Sequence, residues 1–303
     1  MQRYKGDEWH ENMARYDALL SALIMKLPNL LDITILTNCD SRLEFPQLMQ
    51  AIGTLTSVQH FLIVEADPRT DISSAGKIFP LSDGFVRAIL NSSGSSLLSL
   101  VFDGQSNMSP ETFETLRRNA TQLQQLMLRC YVGLQCRAAL SENVPWACRN
   151  TLTKLSFLDC RGAHSGAIAA GVGNGLWSTN LRSLEVLKSG DHDDIPGIPY
   201  PLNDFATPII EQVHYEHAFR WELIVLGKLK AKEVMLTYLP RVIVIDLVNG
   251  GVFPGMEHLR IFKRGGADVD DSDINNACEL RKVKLSMDGA GKVGCDCPYG
   301  FPG

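Results

Sequence analysis

A chain of 303 residues with 45% hydrophobic and 21% charged content has the balance of a folded, soluble protein and excludes a disordered one. The formal net charge of −5 argues against a general nucleic-acid binder, and no window approaches the ~18 consecutive apolar residues of a membrane span. The first twelve residues, Met1 to Asn12, are polar and charged with no apolar run behind a basic start, so the eight scattered cysteines read as reduced thiols of a cytoplasmic or nuclear protein.

In chain order, the first predicted element is a helix. Met13, Tyr16, Leu19, Leu20, Leu23 and Ile24 recur at helical spacing, and Pro28 closes the segment. Residues 1–29 are therefore expected to form an N-terminal cap.

From Leu30 onward a pattern, apolar-x-x-apolar-x-apolar, recurs ten times. Its copies begin at Leu30, Val58, Leu97, Leu123, Leu152, Leu181, Ile210, Ala231, Met256 and Leu280, with steps of 28, 39, 26, 29, 29, 29, 21, 25 and 24 residues. The steps, one excepted, fall in the roughly 20–29 residue range of leucine-rich repeats. The expected fold is an α/β leucine-rich-repeat solenoid over residues 30–288, a horseshoe with parallel strands on the concave face and helices and loops on the convex face. Alternation along a strand puts the second and third apolar positions of each copy, Ile33 and Ile35 in the first, into one interior.

The return segments must cover that interior. Helices are expected over Phe45–Leu55, Phe85–Leu90 and Ala218–Leu229, and one begins at Ser109-Pro110-Glu111, with Ser109 as cap and Pro110 in the first position. Turn formers place surface loops at residues 66–80 and 189–208, and the glycine- and proline-rich residues 289–303 read as a flexible tail.

The motifs that could carry chemistry fail on context. Gly289-Ala290-Gly291-Lys292-Val293-Gly294 spells a dinucleotide fingerprint, but no room remains for the helix and distal acid it needs. Gly171–Gly175 reads as a turn. Cys295 and Cys297 with Cys278 lack zinc spacing, and Asp268–Asp273 lacks the glycine and distant glutamate of a calcium loop. His192 among Asp191, Asp193 and Asp194 reads as a solvated acidic loop. His164 beside Ser165 is a sequence neighbourhood and not a triad. Cys130 and Cys160 sit where a repeat turns after its strand and read as structural. No catalytic residue, metal or cofactor is expected, and the chain is read as a non-enzyme.

Binding is expected on the outward strand positions, which form three columns. The middle column runs Thr34, Leu62, Val101, Met127, Ser156, Glu185, His214, Met235, Arg260, Lys284. Two patches stand out: Leu36, Leu62, Val64, Val101 and Met127, with Arg129 beside them, form an apolar area. At the far end His258, Arg260, Phe262, Lys282 and Lys284 form a basic area with one aromatic, suited to an acidic or phosphorylated partner. The expected partner is a protein on the concave face, with no nucleic acid and no membrane.

The repeats, with Leu27-Pro28-Asn29-Leu30 entering the first strand behind Ala18-Leu19-Leu20, resemble the repeat regions of filamentous-fungal F-box proteins. That resemblance implies substrate recognition for an SCF-type, cullin-based ubiquitin ligase. The F-box itself is not seen, since too few residues precede the first strand and none match its Leu-Pro-x-Glu opening. The alternative is a stand-alone repeat scaffold or inhibitor with no ligase link.

Overall fold

The computed structural model describes residues 6–38, 45–66, 80–131, 144–158, 160, 168, 171–187, 209–216, 227–237, 241–262 and 272–288. Ten strands form one sheet in sequence order, and each strand pairs with the next in parallel. They are β1 (Asp32–Asn38), β2 (His60–Ala66), β3 (Ser99–Asn107), β4 (Gln125–Tyr131), β5 (Lys154–Leu158), β6 (Ser183–Leu187), β7 (Ile210–Glu216), β8 (Ala231–Thr237), β9 (His258–Phe262) and β10 (Lys284–Asp288). Parallel neighbours need a crossover of a dozen or more residues, and the repeat step supplies one each time. The result is a solenoid-like α/β fold.

The alternation of each strand builds its core. Ile33, Phe61 and Ile63, Leu100 and Phe102, Leu126 and Leu128, Leu155 and Phe157, Leu184 and Val186 are buried in successive layers. The layers continue through Val213 and Tyr215, Val234 and Leu236, and Leu259 and Ile261. Each such side chain contributes roughly 1.5–3 kcal/mol, and only stacking lets it do so. The turns leading into the strands are tied together as well. The N–H groups of Gln59 and His60 both donate to the carbonyl of Leu31, those of Leu98 and Ser99 to Gln59, and those of Gln124 and Gln125 to Leu98. Thr153 and Lys154 repeat the arrangement on Gln124, and Arg182 and Ser183 on Thr153. Hydroxyls add further links between repeats: Ser93 donates to Leu55, Thr151 to Leu123 and Ser178 to Leu152, each through Oγ to a backbone carbonyl.

Helices pack over the inward face of the sheet: α1 (Gly6–Met25), α2 (Pro46–Ile52), α3 (Pro80–Ser92), α4 (Pro110–Asn119), α5 (Arg241–Asn249) and α6 (Ser272–Arg281). The expected Phe45–Leu55 and Phe85–Leu90 segments correspond to α2 and the middle of α3. The expected loop at 66–80 gives its first residue, Ala66, to β2 and its last, Pro80, to α3; residues 67–79 lie outside the described residues. Ser109 caps α4 as expected, accepting from the Thr112 N–H at 3.2 Å. It is itself held by the buried Asp83 of α3, whose carboxylate accepts from the Ser109 N–H at 2.7 Å and its hydroxyl at 2.8 Å. Of the expected Ala218–Leu229 helix, the described residues 227–229 form a turn, and the rest lie outside the described residues, as do the 189–208 loop and the 289–303 tail. Gly171–Gly175 does turn: a short helical stretch ends there with Gly175 at φ 64°. Among the described residues no helix is long and apolar enough to cross a membrane.

Two expectations need correction. The first concerns α1. It packs on α2 through the side that carries Met13, Asp17, Ser21 and Ile24, while Tyr16, Leu19, Leu20 and Leu23 are exposed. The helix extends the helical layer by one position but does not bury the apolar side that was expected to close the end.

The second concerns the tenth repeat. Lys284 pairs with His258, Ser286 with Arg260 and Asp288 with Phe262, so the strand lies two residues later than its apolar pattern implied. The step from His258 to Lys284 is 26 residues. The cause is the end of α6, which runs through Leu280 and Arg281 before Lys282 adopts φ 58°. The Lys282 N–H donates to the Glu279 carbonyl and that of Val283 to Cys278, the two bonds of a Schellman motif. Leu280, expected to open the tenth copy, is 82% exposed on that helix. The same motif ends α5, where Gly251 at φ 62° donates to Val248 and Val252 donates to Leu247.

Candidate interaction surface

The strand register fixes which side chains stand side by side on the face away from the helices. The middle row is Thr34, Leu62, Val101, Met127, Ser156, Glu185, His214, Met235, Arg260 and Ser286. Nine of its members are those expected; the tenth is Ser286, because the register moves Lys284 to the first row beside His258. Lys282 leaves the face altogether, since it terminates α6. The basic end as expected is therefore not assembled.

At the apolar end, Leu62, Val64 and Val101 are half-buried and line up across β2 and β3. Leu36 on the first strand is 70% exposed, with a neighbouring strand on one side only among the described residues. Met127, three strands further in, is 9% exposed. Neighbours on both sides cover it, so it supports this surface more than it presents it. Arg129 is held by Asp103 across β3 and β4 at 3.2 Å.

The other half of the face is polar and internally paired. Ser156 donates to Glu185, and Lys154 lies 3.8 Å from the same carboxylate. His214 Nε2 and Thr237 Oγ1 share a hydrogen bond of 2.9 Å. Glu233 faces both His258 Nδ1, at 3.5 Å, and Arg260, at 3.6 Å, while His258 Nε2 bonds Ser286 Oγ at 2.8 Å. The Arg260 guanidinium lies 5.6 Å from the centroid of Phe262, whose ring also meets His214 at 5.9 Å. Of the cations expected to attract an acidic partner, His258 and Arg260 thus face Glu233, while Glu185 engages Ser156 and Lys154. These two carboxylates, with His214 and Thr237, hold outward strand positions that the sequence reading did not single out. Their signal was positional: each places an acid one strand from a base.

Electrostatics follow from this packing. Burial pushes His214 below its ordinary pKa, Arg260 pushes the same way, and Glu185 opposes them. The imidazole is thereby held neutral, and a neutral ring can share one hydrogen bond with a hydroxyl and stack on a phenyl. Away from the face, burial pushes the Cys148 thiol up to about 12, which leaves it unreactive. Cys160 is buried and donates to the Leu128 carbonyl at 2.9 Å, the structural role expected of it. Cys278 is buried on α6.

Among the described residues no three His, Cys, Asp or Glu side chains come together as a metal site. His164, Ser165, His192, Asp268 to Asp271, Gly289 to Gly294, Cys295 and Cys297 lie outside the described residues. A polar groove lined by Asn150, Thr153, Thr179, Asn180, Arg182 and Glu211 runs along the turns before β5 to β7, apart from the residues singled out. No protein-family model, curated protein or solved structure matches this chain.

Proposed function

We propose that this chain is a non-enzymatic, protein-binding repeat module that holds its partner on the concave, strand-bearing face of a leucine-rich-repeat horseshoe. The observation that carries the reading is the face itself. Leu36, Leu62, Val64 and Val101 form an aliphatic stretch on the side of the sheet that the helices leave uncovered, continued by a polar stretch centred on His214, Arg260 and Phe262. A solvent-facing apolar row rimmed by fixed polar groups has the composition of an interaction surface. The aliphatic half supplies contact area. The paired half supplies directional donors and acceptors already locked in place, which lowers the ordering cost of binding.

The role served by that binding is read from resemblance: recognition of substrates for an SCF-type ubiquitin ligase. Affinity capture of the tagged chain from its own cells tests it. Recovery of a cullin-complex adaptor supports the ligase role. Stable partners recovered with no ligase component make the protein a stand-alone scaffold.

A further inference from the structure

The N-terminal end of the solenoid presents two unfinished features at once. β1 closes the strand order, and among the described residues only β2 pairs with it. Beside it, α1 exposes Tyr16, Leu19, Leu20 and Leu23, and Leu27, just past the helix, is exposed as well. Within the helix Tyr16, Leu19, Leu20 and Leu23 are spaced 3, 1 and 3, one exposed apolar stripe. That spacing reads the same in both directions. Under a two-fold axis through its midpoint, Tyr16 of one helix meets Leu23 of the other, and Leu19 meets Leu20.

The charges agree. Between Arg15 and Lys26 the only ionisable side chains of α1 are Tyr16 and Asp17, and Asp17 is buried against α2. The strand is compatible too: antiparallel pairing of two copies of β1 centred on Ile35 sets Ile33 opposite Thr37 and Asp32 opposite Asn38, with no like charges opposed. It would also satisfy the outer edge of β1, which no other described strand pairs; such an edge is a template for unspecific pairing.

We propose that a second copy of this chain occupies this end, in a two-fold, head-to-head dimer built on α1 and β1. A two-fold interface uses the same patch on both copies, and a self-complementary patch is what this end offers. With α1 about 30 Å long and sheet plus helix layer about 20 Å deep, the end covers about 600 Å² per copy and about 1,200 Å² in total, within the range of specific interfaces. The pairing would join two ten-stranded sheets into one and set their strand faces in series.

Sedimentation of the full chain from about 1 to 100 μM tests this without knowledge of any other partner, so its outcome is independent of the function proposed above. The expected result is a reversible step from the 33.5 kDa monomer to twice that mass. Leu20→Glu with Leu23→Glu should abolish the step and leave the circular dichroism spectrum unchanged, because both side chains are exposed. Val242→Glu, at an exposed position on α5, should leave the step in place. A chain that stays monomeric throughout, a dimer indifferent to the leucine substitutions, or growth beyond the dimer would each overturn the proposal.

Discussion

Asp17 caps a helix that begins nearly thirty residues further along the chain. Its carboxylate accepts from the Leu48 N–H at 2.7 Å and from the Gln47 N–H at 3.0 Å, at the start of α2. Phe45, the residue in the cap position of α2, offers no side-chain bond of its own. The carboxylate on α1 thus replaces a local cap and fixes α1 to the solenoid at the same time.

Asp17→Ala should therefore cost about 2 kcal/mol, the loss of a cap that leaves two backbone donors unsatisfied. Urea unfolding measures the cost. Hydrogen exchange should show the accompanying loss of protection concentrated in α1 and α2, with β4 to β6 unchanged.

Gly171 is required by Trp177. A Cβ at this glycine would lie 2.2 Å from the indole Cε2, and Trp177 is fully buried between Trp146 and Phe157, at ring distances of 5.4 and 5.9 Å. The indole cannot yield, so Gly171→Ala should destabilise the protein by about 3 kcal/mol or more. A thermal melt checks this, and a change in tryptophan fluorescence should accompany it.

Lys282 occupies the left-handed position that Gly251 fills at the end of α5. Lys282→Gly should raise stability by about 1 kcal/mol, because it relieves the Cβ clash of that conformation. The same substitution should leave partner binding unchanged, since the side chain lies off the strand face. Denaturant midpoint and capture yield give the two readouts.

His214 gives the strand face a pH dependence. Its folded pKa lies below the ordinary value of about 6.5, so the unfolded chain takes up the proton first as pH falls. Its contribution to stability is complete above about pH 7 and is lost as pH drops through the folded value. Titrating carboxylates add their own losses at lower pH, among them Glu114, held down by Arg117 and Arg118. His214→Gln should therefore flatten the stability profile from the ordinary histidine value downward to the folded one and leave the acid limb in place. Parallel slopes for the two proteins would show that His214 does not titrate in this window.

Nine strands could be read from the amino-acid pattern because a buried parallel strand needs its inward residues apolar, and Ile33, Phe61, Leu100 and their counterparts obey. The tenth strand slipped by two because the helix before it stops on a lysine. At Gly175 and Gly251 the stop is written as glycine; at Lys282 the backbone enters the same conformation without that mark, and Leu280 imitates the start of a repeat. The binding residues were legible as rows but not as states. Whether Met127 is open or Arg260 is paired depends on the adjacent strands, so single positions do not reveal it. The side of α1 that packs was misread because Asp17, a charged residue, lies on the buried side, and leucines lie on the exposed one.

Partner binding on the strand face is tested most directly by capture from cells with three proteins: the wild-type chain, Val101→Glu with Phe262→Glu, and Val242→Glu on the exposed side of α5. All three must first be shown to unfold cooperatively. The strand-face variant is expected to lose the partners and the α5 variant to keep them. Partners retained in full by the strand-face variant, or lost only from the α5 variant, would contradict binding on that face.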